Sequence, residues 1–295
     1  NDAFSRCHPL VNFLYFALVL LGAMVLQHPA CQVISLIGAI ACFCCLGGEK
    51  PGGFRLWYAL ALFVLTAAVN PAFSHEGRTI LRYLPSGNPL TLESVLYGLG
   101  AGLTLCTALI WFSDYTRVMT SDKFVYLFGR IVPALSLVLS MTLRFVPRFS
   151  AQARRVSRAQ AAVGNDMHAG SPVHRIRCAL MVFSILVTWS LENAVDTADS
   201  MRARGYGLPG RSAFSIFTLT KRDKLLLAVM GLLGGTVIAG YALGALSWRY
   251  YPSVKGAGFA PLSVLCYLSF LILNLIPVIL EQKEAAVCRR LQSQI

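Results

Sequence analysis

Apolar residues run in long stretches along most of this chain, and their lengths predict its elements. A helix needs about 20 such residues to cross the hydrocarbon core of a bilayer. Stretches of this kind lie at 11–26, 31–46, 56–73, 92–112, 225–246 and 262–280. Two further apolar helices are expected at 131–149 and 178–194, and each ends in charge. The turn at 49–53 reads as an inner loop and the one at 85–89 as an outer loop.

The pattern changes between residues 144 and 224, where a basic and partly polar island interrupts the apolar runs. Over 148–163, Arg154, Arg155 and Arg158 fall on one side and Val156, Ala159 and Val163 on another, which predicts an amphipathic helix that does not span. Gly164-Asn165-Asp166 stops it, and Gly170-Ser171-Pro172 turns the chain into another helix from about Val173. That helix begins apolar and ends with Glu192, Asp196 and Asp199 on one face. Arg202 and Arg204 occupy its final turn, and Gly205 is placed to take the left-handed conformation that ends helices. Arg144 lies in an otherwise apolar segment, where an arginine either snorkels to the interface or pairs with an acid. Glu192, Asp196 or Asp199 is its expected partner.

Composition sharpens the class. Hydrophobic residues make up 56% of the 295, charged residues 13%, and mean hydropathy is +0.62. The expected fold is therefore all-α: a polytopic integral membrane protein carrying a cytoplasmic or interfacial helical insertion. Its expected segments are 1–114 with four spans, 115–223 with the amphipathic helices, and 224–295 with the last spans and a basic tail. The first apolar run reads as a span, since no short charged region and small-residue cleavage site accompany it. Nine cysteines, an odd number at irregular spacing, read as small apolar side chains and predict neither a disulfide framework nor a metal site.

Charge orients the spans. Sixteen of the 26 Lys and Arg residues lie between Arg117 and Lys224, and Lys283, Arg289 and Arg290 follow the last span. By the positive-inside rule both regions face the cytoplasm, and counting spans back puts the N-terminus there too. Arg78, Arg82, Arg249 and Lys255 fall on the expected outer side.

Cations in a last turn complement the helix dipole, and basic amphipathic helices bind anionic lipid. Lipid attraction needs only diffuse charge, however. It calls for neither an acidic stripe nor two separate helix-stop glycines, so the island favours docking to protein. No Gly-rich loop is followed by Lys and Ser or Thr, so no nucleotide site is expected on this chain. Neither a cofactor nor a nucleic-acid partner is expected.

The segment 198–207, Ala-Asp-Ser-Met-Arg-Ala-Arg-Gly-Tyr-Gly, resembles the Ala-Arg-Gly signature of the transmembrane T component of energy-coupling factor transporters, the vitamin and metal-ion uptake branch of ABC transporters. Residues 158–166, Arg-Ala-Gln-Ala-Ala-Val-Gly-Asn-Asp, resemble the first of the family's two such motifs, with Val163 where arginine is usual. The likeness extends to Leu143-Arg144-Phe145-Val146-Pro147, Asn70-Pro71, Ser74-His75-Glu76-Gly77, Leu90-Thr91-Leu92-Glu93 with Tyr97-Gly98, and His8-Pro9, reaching about Lys224.

The resemblance implies a non-catalytic coupling subunit in a bacterial cell membrane, working with two different ABC ATPases and a small membrane-embedded capture subunit that carries substrate specificity. Arg202, Arg204 and Gly205 would dock one ATPase, and Arg158, Ala159, Val163 and Gly164 the other. Ala162 and Met201, beside Ala159 and Val163, would contact the capture subunit. Two rival classes are a membrane enzyme using His75, Glu76 and Glu93, and a self-contained secondary transporter. The first lacks the second histidine of a zinc-hydrolase helix. The second needs ionisable groups near mid-bilayer, where Asp114 reads as a span end.

Overall fold

The computed structural model describes residues 3–46, 53–74, 77–83, 89–129, 132–166, 169–206, 208, 217–256, 258 and 260–292, without the side chains of 53–56, 82 and 133–136. His75, Glu76, Gly207 and most of the loops at 49–53 and 85–89 lie outside the described residues. The chain is an all-α polytopic membrane protein. Among the described residues, five helices are long and apolar enough to cross a membrane: Pro29–Leu46, Leu92–Val118, Pro172–Ala203, Lys221–Ala242 and Pro261–Gln292.

Two compact bodies divide the chain: Asn1–Thr120 with Phe217–Ile295, and Ser121–Ile216. The first contains α1 (Pro9–Val25), α2 (Pro29–Leu46), α3 (Gly53–Phe73) and α4 (Leu92–Val118). The second contains α5 (Ser121–Gly129), α6 (Pro133–Ala162) and α7 (Pro172–Ala203). The chain then returns to the first body for α8 (Lys221–Ala242) and α9 (Pro261–Gln292). Two small antiparallel hairpins join helices of the first body. They are β1 (Ile80–Tyr83) with β2 (Pro89–Thr91), and β3 (Trp248–Arg249) with β4 (Lys255–Gly256).

The core of the first body is aromatic. Phe4, Tyr15, Phe16 and Trp111 are all buried and meet edge to face, with ring centroids 5.1–6.3 Å apart. Buried polar groups then link helices in pairs: Trp111 Nε1 donates to Ser35 Oγ at 3.1 Å, joining α4 to α2, and Tyr15 Oη donates to the Asn274 carbonyl at 3.0 Å, joining α1 to α9. Lipid offers no hydrogen bonds, so polar side chains inside a bundle find partners on neighbouring helices.

α3 and α4 pack at backbone distance because α4 presents Gly98 and Gly102 one turn apart. A Cβ on Gly98 would stand 2.9 Å from the Ala67 carbonyl oxygen, and one on Gly102 would stand 3.0 Å from that of Phe63. This is the small-residue spacing that membrane helices use where dispersion alone must hold them together. Gly98→Leu should destabilise the protein by about 1–3 kcal/mol through overpacking. An unchanged midpoint in a detergent unfolding titration would contradict that contact.

The N-terminal segment, the start of α8 and the end of α9 converge through polar contacts. Glu284 accepts from Arg222 Nη1 at 2.9 Å and lies 3.6 Å from Arg6, Glu281 accepts from the Ala3 amide at 2.8 Å, and Asp223 accepts from the His8 amide at 3.3 Å. Asp223 also completes a capping box with Thr220 at the start of α8.

Two expectations need correction. The sequence predicts an apolar helix at 131–149 and a separate amphipathic helix at 148–163, yet one helix, α6, runs through both and contains Pro147. Proline removes one ladder bond and usually kinks a helix. Here Phe145 and Phe149, on either side of it, stack with each other, and Phe149 meets Trp189 of α7 at 5.3 Å, so packing holds the helix together across the defect. Asp114 was expected at a span end. α4 instead continues to Val118 and leaves Asp114 fully buried, beside Cys42 of α2.

Candidate functional site

The site is built on the second body, whose two long helices meet along one stripe each. On α6 the sheltered positions include Met141, Phe145, Phe149, Ala153, Val156 and Gln160. On α7 they recur at His174, Cys178, Val182, Leu186, Trp189 and Asn193, and continue through Thr197 and Met201. Steps of three and four residues keep each set on one side of a helix. The remaining surface of α7 stays open although much of it is apolar, including Val173, Ile176, Leu180, Phe183, Leu191 and Val195.

Both helices end in the same way. Val163 is the C-cap of α6 and Arg204 the C-cap of α7, with φ, ψ of −94°, 9° and −84°, 8°. Glycine follows each cap at positive φ, +90° at Gly164 and +72° at Gly205, where a Cβ would be strained. The amide after each glycine closes the turn, Asn165 onto the Gln160 carbonyl at 2.9 Å and Tyr206 onto that of Met201 at 3.0 Å. The glycine amides bond Ala161 and Arg202 at 3.1 and 2.9 Å. This is the Schellman closure, made twice. Ala162-Val163-Gly164 and Ala203-Arg204-Gly205 are thus equivalent in position, and the caps differ in side chain alone, valine at one and arginine at the other.

The two ends are far apart. Asn165 Nδ2, just beyond the first, reaches Met181 Sδ at 3.7 Å, so that end lies beside the N-terminal part of α7. The second end lies beyond Ala203, roughly 35 Å further along α7 at the helical rise. One small partner cannot grip both.

Most residues expected at the site are open to solvent. Arg158, Ala159, Ala162, Arg202 and Arg204 are exposed, and Val163, though apolar, is 78% exposed. Gly164 is exposed, Gly205 is partly covered, and Met201 is half-buried in the α7 stripe. The expected ion pairing is not formed. Arg144, Glu192, Asp196 and Asp199 are all exposed, and no ion pair joins Arg144 to the acids among the described residues. Arg144 lies beside the sheltered stripe of α6, so its long side chain reaches solvent and keeps its hydration, which a pair would have to give up.

The open apolar surface of α7 was not singled out from sequence. Its signal was present, since apolar residues lie all around the first two-thirds of that helix, more than one stripe can bury. Glu93, a residue of the enzyme alternative, is only 3% exposed and accepts hydrogen bonds from the Thr79 amide and hydroxyl. It therefore anchors the start of α4 to the preceding hairpin segment.

Comparison with known proteins matches residues 4–216 to the family model CbiQ, cobalt transport protein, a stretch that takes in both helix ends. The chain belongs to the CbiQ family. Curated relatives include the energy-coupling factor transporter transmembrane proteins EcfT of Lactobacillus helveticus, 32% identical over 36% of this chain and 39% of that protein, and of Exiguobacterium sibiricum, 36% identical over 34% and 39%. That of Listeria innocua is 31% identical over 45% of this chain and 50% of the relative. The matched stretch spans about two-fifths to one-half of these relatives. Their names agree with the resemblance to a T component of energy-coupling factor transporters, which the sequence motifs had indicated.

Proposed function

We propose that this CbiQ-family chain is the non-catalytic coupling subunit of an energy-coupling factor importer. The matched helix ends carry the proposal: two exposed caps of the same backbone geometry, about 35 Å apart along α7, suit two ATPases related by near-symmetry. Arg204 docks into one ATPase. Its planar guanidinium makes two parallel hydrogen bonds to a carboxylate and holds its charge at any physiological pH. The Val163 end, with Arg158 and Ala159 one to two turns back, docks into the other mainly by apolar packing. Arg202 complements the dipole of α7 beside Arg204.

The capture subunit lies against apolar surface of the coupling helices, near Ala162 and Met201. ATP hydrolysis moves the ATPases, and the stiff α6 and α7 carry that motion to the capture subunit, which delivers a vitamin or metal ion. Glu192, Asp196 and Asp199, unpaired with any α6 cation among the described residues, present an acidic stripe to a basic partner surface. Both chain ends face the cytoplasm. In support, the N-terminal segment and the last turns of α9 share the Glu281 and Glu284 contacts and so lie on one side of the membrane. The segments 1–114, 115–223 and 224–295 then serve as membrane anchor, coupler and closing spans.

The unlike caps predict unlike attachments. Screening shortens to ~3 Å at 1 M salt while apolar burial persists. Raising salt on the purified complex should therefore release the ATPase at Arg204 first, and Val163→Arg should make the second attachment salt-sensitive too. Native mass spectrometry across a salt series reads this as subunit stoichiometry. Simultaneous loss of both ATPases at every salt concentration, unchanged by Val163→Arg, would reject the asymmetry.

A further inference from the structure

A cavity of about 240 Å³ lies inside the first body, apart from the helix ends, between the close of α1, the start of α2, the outer half of α4 and Tyr250 just after β3. Its deep end is polar. Gln32 is 95% buried, and its amide is held in one orientation: Nε2 donates to Thr104 Oγ1 at 3.0 Å, and Thr104 Oγ1 donates to the Gly100 carbonyl at 3.0 Å. That leaves Gln32 Oε1 as an acceptor on the cavity wall, with no donor reaching it among the described residues. Oε1 would stand 3.5 Å from a Cβ on Gly100, and the Tyr250 hydroxyl only 2.7 Å from it. Glycine at position 100 keeps this end open.

The aromatic wall is equally defined. Tyr250 is buried, donates to the Gln27 carbonyl at 3.3 Å and meets the Tyr97 ring edge to face at 5.5 Å. Burial raises the Tyr250 hydroxyl above its ordinary range, so it stays a neutral donor. Among the described residues, no Lys, Arg, Asp, Glu or His lines the cavity. At the mouth, Met24 is 52% and Leu105 38% exposed, with Ala101 beside them. Leu105 sits within the span α4, so the mouth opens toward lipid.

We propose that this cavity binds a neutral amphiphile, with a hydroxyl or amide donor of its head held by Gln32 Oε1 and its alkyl chain leaving between Met24 and Leu105. A fixed acceptor without a partner selects a donor, because a head lacking one would leave a buried polar atom unpaired. A charged head would be desolvated with no counter-charge, which excludes carboxylates and phosphates. The volume, about eight times the ~30 Å³ of a liquid water molecule, takes a glycerol-sized head and leaves the chain in the bilayer. Tyr97 and Tyr250 sit where amphipathic rings collect at membrane interfaces, the depth of such a head.

The test uses the full chain in phosphatidylcholine nanodiscs with a diazirine-bearing monoacylglycerol as probe, mapping labelled peptides by mass spectrometry. Labelling should concentrate at Met24 and Leu105. Unlabelled monooleoylglycerol should compete, whereas oleate, with the same chain and a charged head, should not. Gln32→Leu, of similar volume, should weaken that competition about fivefold, the worth of one hydrogen bond. Ala101→Phe should fill the mouth and abolish labelling at Leu105 while sparing lipid-facing residues of α3. If Ala101→Phe does not fold, the Gln32→Leu comparison decides alone. Equal competition by oleate, or labelling and competition unchanged in Gln32→Leu, would overturn the proposal and leave ordinary lipid contact.

Discussion

Arg204→Ala is expected to strip one ATPase from the transporter. Truncating one partner of a desolvated, hydrogen-bonded charge pair costs about 2–5 kcal/mol, and every 1.4 kcal/mol is tenfold in affinity. That is enough to lose a subunit during purification. The fold of this chain should survive, because backbone bonds from Gly205 and Tyr206 close the end of α7 and the Arg204 side chain is exposed. Arg204→Lys should recover only part of the attachment, since an ammonium keeps the charge and loses the two-pronged geometry. Pull-down of both ATPases by Arg204→Ala at wild-type yield would sink the docking assignment.

A comparable loss is expected in the first body, where it reads out as stability. Trp111 is fully buried against Tyr15 and Phe16 and donates to Ser35, so Trp111→Ala removes a large side chain and leaves a buried hydroxyl without its donor. Such truncations cost about 3–5 kcal/mol. Trp111→Phe keeps an aromatic ring and should lose far less, about 1 kcal/mol for the hydrogen bond plus any void left by the smaller ring. Reversible unfolding in a detergent series measures both. A Trp111→Ala midpoint close to that of Trp111→Phe would mean that α4 is not anchored through this side chain.

Elements with a strong local cause were legible in the sequence. The apolar runs became helices near their expected places, and Gly164 and Gly205 took the left-handed conformation expected of helix-stop glycines. The motif resemblance led to the CbiQ family, which the match over residues 4–216 shows. The helices expected at 131–149 and 148–163 proved to be one because local patterning shows a change of face but not whether packing carries the helix on, and Phe149 against Trp189 is a contact between residues 40 positions apart. The Arg144 pairing failed for a related reason. A matching charge within reach predicts a pair only if packing also removes water from both groups, and here it does not.

Hydropathy and helix-stop residues are properties of neighbouring positions, so the sequence by itself determined the class of this protein, its helices and the two glycine-stopped helix ends. The tertiary structure alone decided how those parts face one another. It showed Val163 and Arg204 to be the same position on two equivalent caps, left one side of α7 uncovered, buried Asp114, and enclosed a polar-ended cavity around Gln32. Each of these depends on residues brought together from distant parts of the chain, where packing and desolvation, rather than residue type, set the outcome.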